Sequence, residues 1–140
     1  MTTKTTAVPR SLPVRLRPGD DLRRALEAVV AGEGVAAAFV LSGIGSLRPA
    51  VIRFAGVDDV SKIDSDTEVL TLAGSIGAGG SHLHMSVSDA EGRVLGGHVG
   101  YGCTVRTTAE VLLMLLPEWR FSRAVDAATG FAELVVAPQG

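Results

Sequence analysis

The sequence predicts one domain built mostly of β-strands, with one clear amphipathic helix near its start. Three observations carry that reading. At 140 residues the chain has ordinary domain size and can bury a core. Short apolar runs recur along it, several alternating with the period of two that marks a half-buried strand. One early stretch, residues 22–31, instead spaces its apolar residues as a helical stripe. Aromatic residues are few, at four Phe, one Tyr and one Trp, so Val, Leu, Ile and Ala must fill the core. The 17 glycines sit between apolar runs and predict tight turns rather than disorder.

The elements follow in order. Residues 1–10 are polar and threonine-rich up to Pro9, and a flexible tail is expected there. Residues 11–17 alternate Leu12, Val14 and Leu16, a first strand whose other side is basic through Arg10, Arg15 and Arg17. Pro18-Gly19-Asp20-Asp21 turns the chain, and Asp20 or Asp21 caps a helix. Leu22, Leu26, Val29 and Val30 form its apolar stripe as far as about Ala31. Arg23, Arg24 and Glu27 are expected to face water, and Gly32 and Gly34 end the helix. Residues 35–44 are apolar almost throughout, which predicts a strand buried on both sides. Gly43 and Gly45 predict a tight turn before a strand over 47–55. The acidic stretch 57–66 reads as a solvated loop, because Asp58 and Asp59 lack the spacing of a calcium loop.

Residues 67–76 form a further strand with Glu68 as its one charge. Gly77-Ala78-Gly79-Gly80 lacks the Lys-Ser/Thr and the following helix that a phosphate loop needs, so it reads as a sharp turn. Residues 107–116 are so apolar that strand and helix are equally compatible with them. Glu110 is embedded in that run; a buried carboxylate there needs an arginine partner or a role at a site. Residues 119–127 carry Arg120 and Arg123, Thr129-Gly130 is a turn, and 131–136 is a last strand before a short tail over 137–140. The domain is thus expected to span 11–136.

Residues 80–98 hold all three histidines and read as one β-hairpin. His82, His84, Ser86 and Ser88 alternate with Leu83, Met85 and Val87. A three-residue loop, Ala90-Glu91-Gly92, with glycine in the left-handed position, closes it between Asp89 and Arg93. That loop sets Val87 opposite Leu95 and His84 opposite His98. A slip of one residue would send His98 to the other face. In the chosen register His82, His84 and His98 share one face and reach a single ion. Neutral imidazoles suit zinc, and three protein ligands leave one position open.

Composition excludes several functions. A net charge of −2 argues against unaided nucleic-acid binding, which needs a basic patch. Cys103 is the only cysteine, so no intramolecular disulfide forms, and it fits a small buried residue in a reducing compartment. No apolar run reaches transmembrane length and the first residues lack a secretory core, so a cytoplasmic protein with no membrane partner is expected.

With these residues in place the chain resembles the plant-and-prokaryote-conserved (PPC) domain family. The matching stretches are Arg17 to Leu22, Glu68 to Ile76, Gly80-Ser81-His82-Leu83-His84, Gly92 to His98, Thr108 to Val111 and Thr129-Gly130. His-x-His combined with Gly-Gly-His is the specific part. The resemblance implies an α+β fold with a mainly antiparallel sheet, helices packed against it, and a homotrimer. Plant members carry AT-hooks centred on Arg-Gly-Arg-Pro that bind the minor groove; this sequence has none.

Three functions are compatible with these residues. The preferred one is a homotrimeric module serving regulation through protein partners, with a divalent metal, zinc, at His82, His84 and His98. The apolar runs at 35–44 and 109–116 exceed what one small sheet needs and fit subunit contacts. The second is a small zinc enzyme of unassigned substrate, with Glu68 or Glu110 as general base. The third is DNA binding through Arg10, Arg15, Arg17 and Arg106 gathered by trimerisation.

Overall fold

A computed structural model describes residues 8–140. Most of the expected tail, 1–10, lies outside them. The first strand, β1 (Arg10–Leu16), leads to the helix α1 (Leu22–Gly32). Asp21 is its N-cap, its carboxylate accepting from the Arg24 N–H at 3.0 Å. Leu22, Leu26 and Val30 are its buried stripe. After α1 the chain is all strand: β2 (Ala37–Leu47), β3 (Ala50–Arg53), β4 (Ser61–Ile63), β5 (Thr67–Gly77), β6 (Gly80–Ser88), β7 (Val94–Val99), β8 (Val105–Leu115), β9 (Trp119–Val125) and β10 (Ala132–Pro138).

Eight strands form one sheet in the order β1-β8-β2-β5-β6-β7-β3-β4, and every pairing in it is antiparallel. β9 and β10 make a separate two-stranded sheet. The resemblance implied several packed helices; the described residues contain one. Residues 107–116, equally compatible with helix and strand, fall almost wholly in the strand β8. Ala109, Val111, Leu113 and Leu115 point inward and are at most 4% exposed, while Arg106, Glu110 and Leu112 point outward. That alternation is masked in the sequence because the outward residues Leu112 and Met114 are also apolar. Ladders to β1 on one side and β2 on the other select the extended form.

The core lies between α1 and the inner side of the sheet, where Leu22 and Leu26 join the inward side chains of β5, β6 and β8 in one buried cluster. Cys103 is buried in it. Its thiol contacts the Val51 backbone at 3.2 and 3.3 Å, and burial pushes its pKa up to about 11, so it is inert.

Two expectations for β2 are corrected. Among the described residues its outer side is largely open: Phe39, Leu41 and Ile44 are 37–54% exposed there, with Phe121 against Phe39 alone. Gly43 and Gly45 do not turn the chain but lie inside the strand. A side chain at Gly45 would run into Thr108 and Ala109 of β8, so glycine here serves close strand packing. The reversal comes later, at Arg48-Pro49. The acidic loop also contains a short strand, β4, paired with β3.

A candidate metal centre on the β6–β7 hairpin

The hairpin closes as its sequence predicts. The Asp89 N–H donates to the Arg93 carbonyl and the Gly92 N–H to the Asp89 carbonyl, both at 3.0 Å. Gly92 has φ +76°, the left-handed region that glycine enters without a Cβ clash. Asp89 holds the loop further, accepting from the N–H groups of Glu91 and Arg93 at 2.9 Å and from Arg93 Nε at 2.8 Å. The resulting register pairs Val87 with Leu95 and His84 with His98. Leu83, Met85 and Val87 go into the core at 1–4% exposure, which forces the histidines outward. Leu95 stays 39% exposed, because β3 pairs with β7 only at Val99 and His98.

The three rings converge. His82 Nε2 lies 3.1 Å from His84 Nε2, and His84 Nε2 lies 3.2 Å from His98 Nδ1. One ligating nitrogen from each ring falls within 4.8 Å of the other two. His82 and His98 stack at 4.9 Å between centroids, and His84 meets both edge-on. Nitrogens about 2.0–2.1 Å from one tetrahedral zinc lie about 3.3 Å apart, so the two short contacts match the edges of such a shell. Partial burial, then the charge of His84, lowers the pKa of His82; partial burial, then Arg53, lowers that of His98. Both rings are thereby held in the neutral form that ligates a metal. The residues present therefore fit a divalent ion with nitrogen ligands.

The surroundings are built from distant elements. β5 backs β6, with Ser75 opposite His82 and Ala73 opposite His84. Gly74 (φ +145°) sits between them, and any Cβ there would overlap the His82 carbonyl oxygen. Arg23 was expected to face water. Instead its guanidinium donates from Nη2 to the Ser81 carbonyl (2.6 Å), from Nε to Ser81 Oγ (2.9 Å) and from Nη1 to the Val99 carbonyl (3.1 Å). It thus ties together the residue before His82 and the residue after His98. Glu27, also expected in solvent, accepts from Ser81 Oγ (2.5 Å) and from the Tyr101 hydroxyl (2.9 Å) and lies 3.4 Å from Arg23. The i,i+4 spacing of Arg23 and Glu27 was the available signal, but it is shared with many solvated helix pairs.

Beside His82 and His98 lies a cavity of about 430 Å³ whose walls include Arg23, Arg53, Arg123, Phe131 and Glu133. Glu133 is the carboxylate that faces the histidine side, and sequence reasoning missed it. Glu68 and Glu110 do not come to the triad. Both are exposed on the outer sheet face, in a different depression lined by Ile44, Leu70 and Thr107. Glu68 pairs with Ser88, four residues or about 13 Å along β6 from His84. Glu110 is not buried at all, so the requirement for a buried partner lapses.

An antiparallel-sheet domain with one helix and three histidines converging on a central hairpin is the class of protein that this geometry defines. The chain belongs to the Plants and Prokaryotes Conserved (PCC) domain family, whose model matches residues 3–117. It is 44% identical over 126 residues to the Bifunctional protein GlmU of Synechococcus sp. (strain JA-2-3B'a(2-13)), an alignment covering 90% of this chain and 20% of that protein. The chain thus spans about a fifth of the length of the curated relatives it matches. A hypothetical protein of Salmonella enterica has the same fold with a TM-score of 0.90 at 37% identity, covering 94% of this chain and 96% of that one. A metal-containing protein of Archaeoglobus fulgidus matches with a TM-score of 0.79 at 27% identity, over 90% of this chain and 93% of that one. No helix of the described residues is long and apolar enough to cross a membrane.

Proposed function

We propose that this chain is a cytoplasmic, homotrimeric regulatory and interaction module that holds a divalent metal, zinc, on His82, His84 and His98. The observation that carries the reading is the convergence of three ring nitrogens within 4.8 Å on one face of a hairpin. An all-nitrogen set suits zinc, and the metal-containing relative from Archaeoglobus fulgidus supports metal at this fold. When bound, zinc with three protein ligands keeps a position open for a fourth ligand, which it polarises as a Lewis acid. Glu68 and Glu110 stand apart from that position, which favours a binding role over the hydrolytic one in which either would serve as base.

Self-association is supported by the outer sheet face. Phe39, Leu41, Ile44, Leu70 and Leu112 are each 37–54% exposed there, on adjacent strands β8, β2 and β5. Apolar side chains grouped this way mark an interaction surface. DNA binding is disfavoured by the acidic balance and because Arg10 and Arg106, two of the four arginines it would use, already pair with Glu33 and Asp66, leaving Arg15 and Arg17.

The test is metal analysis of protein purified without a histidine tag, joined to light scattering. One zinc per chain is expected, with affinity reduced by about a hundredfold or more in His84→Ala, and a mass three times 14.4 kDa. Failure to retain any divalent ion after loading would refute the metal site. A monomer at every concentration would refute the trimer, and Ile44→Glu should produce that monomer if the reading is right.

A further inference from the structure

We infer that the cavity beside the histidines is a receptor for a small organic anion, a carboxylate or phosphate on an apolar body, gripped by Arg53 and Arg123. The inference deepens the metal-centre reading, since the bound anion lies against the position that reading leaves open. It rests on three features of the cavity wall.

The first is charge. Three guanidinium groups and one carboxylate, Glu133, line the cavity. Arg23 is spent on Ser81, Val99 and Glu27. Arg53 and Arg123 are not. Arg53 makes one hydrogen bond, from Nη1 to the Val57 carbonyl at 3.2 Å, and Arg123 one, from Nη2 to Ser75 Oγ at 3.1 Å. Among the described residues neither has a carboxylate within ion-pair distance. Each therefore keeps free N–H groups, and a guanidinium fork matches the paired oxygens of a carboxylate or phosphate.

The second is position. Arg53 lies on β3 directly opposite His98, and Arg123 lies on β9 and reaches Ser75, which is itself opposite His82. The two cations thus flank the histidine cluster from opposite sides. An oxyanion between them lies against the ring nitrogens.

The third is the rim. Phe131 is 72% exposed and Val60 56% exposed, yet both line this cavity. They are large apolar surfaces that the described residues leave uncovered. A ligand with an apolar or aromatic body would cover them, and at about 430 Å³ the cavity is within the range that small-molecule sites occupy.

Arg123, Phe131 and Glu133 come from β9, β10 and their connection, beyond the residues 3–117 that the family model matches. The ligand preference is accordingly a property of this chain's C-terminal hairpin as much as of the family's common part.

The experiment is calorimetric titration of the full chain with phenyl phosphate, inorganic phosphate and neutral benzyl alcohol, on zinc-loaded and on metal-free protein. Phenyl phosphate is expected to bind, benzyl alcohol not to bind, and inorganic phosphate to bind more weakly than phenyl phosphate. Arg53→Gln and Arg123→Gln should each weaken phenyl phosphate about tenfold, the scale of one charge-assisted contact, while zinc content is unchanged. Phe131→Ala should weaken phenyl phosphate but not inorganic phosphate. All three side chains are exposed or half-exposed, and circular dichroism verifies that the variants are folded. Absence of anion binding to both forms of the protein overturns the inference, as does binding indifferent to both arginine substitutions. If zinc does not bind, the metal reading falls by its own assay, and arginine-dependent binding to the metal-free chain still decides the anion site.

Discussion

Two hairpins meet at the cavity. β6–β7 and β9–β10 both close on a glycine in the left-handed region, Gly92 at φ +76° and Gly130 at φ +77°. Beyond the turn they differ. β6–β7 is sealed from below by Leu83, Met85 and Val87 and flanked by β5 and β3. β9–β10 stands as its own two-stranded sheet, with Val125, Phe131 and Val136 more than half exposed. It is fastened mainly by Phe121, which is 4% exposed and packs edge-on to Phe39 at 5.5 Å. The Phe121 N–H also bonds the Ala36 carbonyl at 3.0 Å. The difference separates two tasks. The three histidine nitrogens sit where the register is held from both sides, as the sub-ångström placement of the proposed ligands would require. Arg123, Phe131 and Glu133 of the cavity wall come from the element fastened mainly at Phe121 and tolerate more play.

The largest effect should come from removing that anchor. Phe121→Ala is expected to cost about 3–5 kcal/mol in urea unfolding, the usual range for a buried phenyl ring. Zinc stoichiometry should persist, because no ligand lies on β9 or β10. Loss of zinc in this variant would show that the two hairpins are not independent.

Next comes the clamp between the ends of β6 and β7. Arg23→Met keeps much of the side-chain volume but releases the Ser81 and Val99 carbonyls. Zinc affinity should fall about tenfold or more, as when groups orienting metal ligands are removed. Competition with a chelator measures it, and an unchanged affinity would reduce Arg23 to a packing residue.

A paired substitution then compares the turns directly. An alanine Cβ at Gly92 or at Gly130 meets no atom within 4 Å, so the strain is conformational and about 1 kcal/mol at each. Gly92→Ala should also weaken zinc, since it disturbs the register that sets His84 opposite His98. Gly130→Ala should leave zinc alone. Equal effects on zinc would remove the distinction drawn between the hairpins.

The smallest effect is on pH. His82 and His98 have folded pKa values below their ordinary 6.5. Between 6.5 and those lower values the unfolded chain takes up protons that the folded chain does not. Stability of the metal-free protein should therefore be fully present above pH 6.5 and decline slightly as pH falls through that window. Thermal melts from pH 7.5 to 5 measure this, and a rise in stability on acidification would contradict it.

The histidine cluster was legible because what sets the three rings on one face lies within a single hairpin. Alternation fixes which way His82 and His84 point, and a loop of three residues with Gly92 fixes which residue His98 opposes. The misreadings share the opposite cause. Arg23 and Glu27 look like the solvated side of a helix until Ser81 of β6 and Val99 of β7, 58 and 76 residues from Arg23, are laid beside them. Gly43 and Gly45 look like a turn because glycine signals both a reversal and a close approach, and only the presence of β5 and β8 distinguishes the two. Glu110 looks buried because its sequence neighbours are apolar on both faces of β8. Residues 35–44 look buried on both sides, and the described residues fully cover one.

From the order of its residues alone, this protein was committed to a capped helix, a set of strands and a hairpin presenting three imidazoles. Each depends on interactions within about sixteen residues, where spacing and turn length leave few choices. The eight-strand order, the Arg23 clamp and the cavity between β3 and β9 were decided only on folding. They join segments dozens of residues apart, and which of those meet depends on how the whole sheet packs against α1.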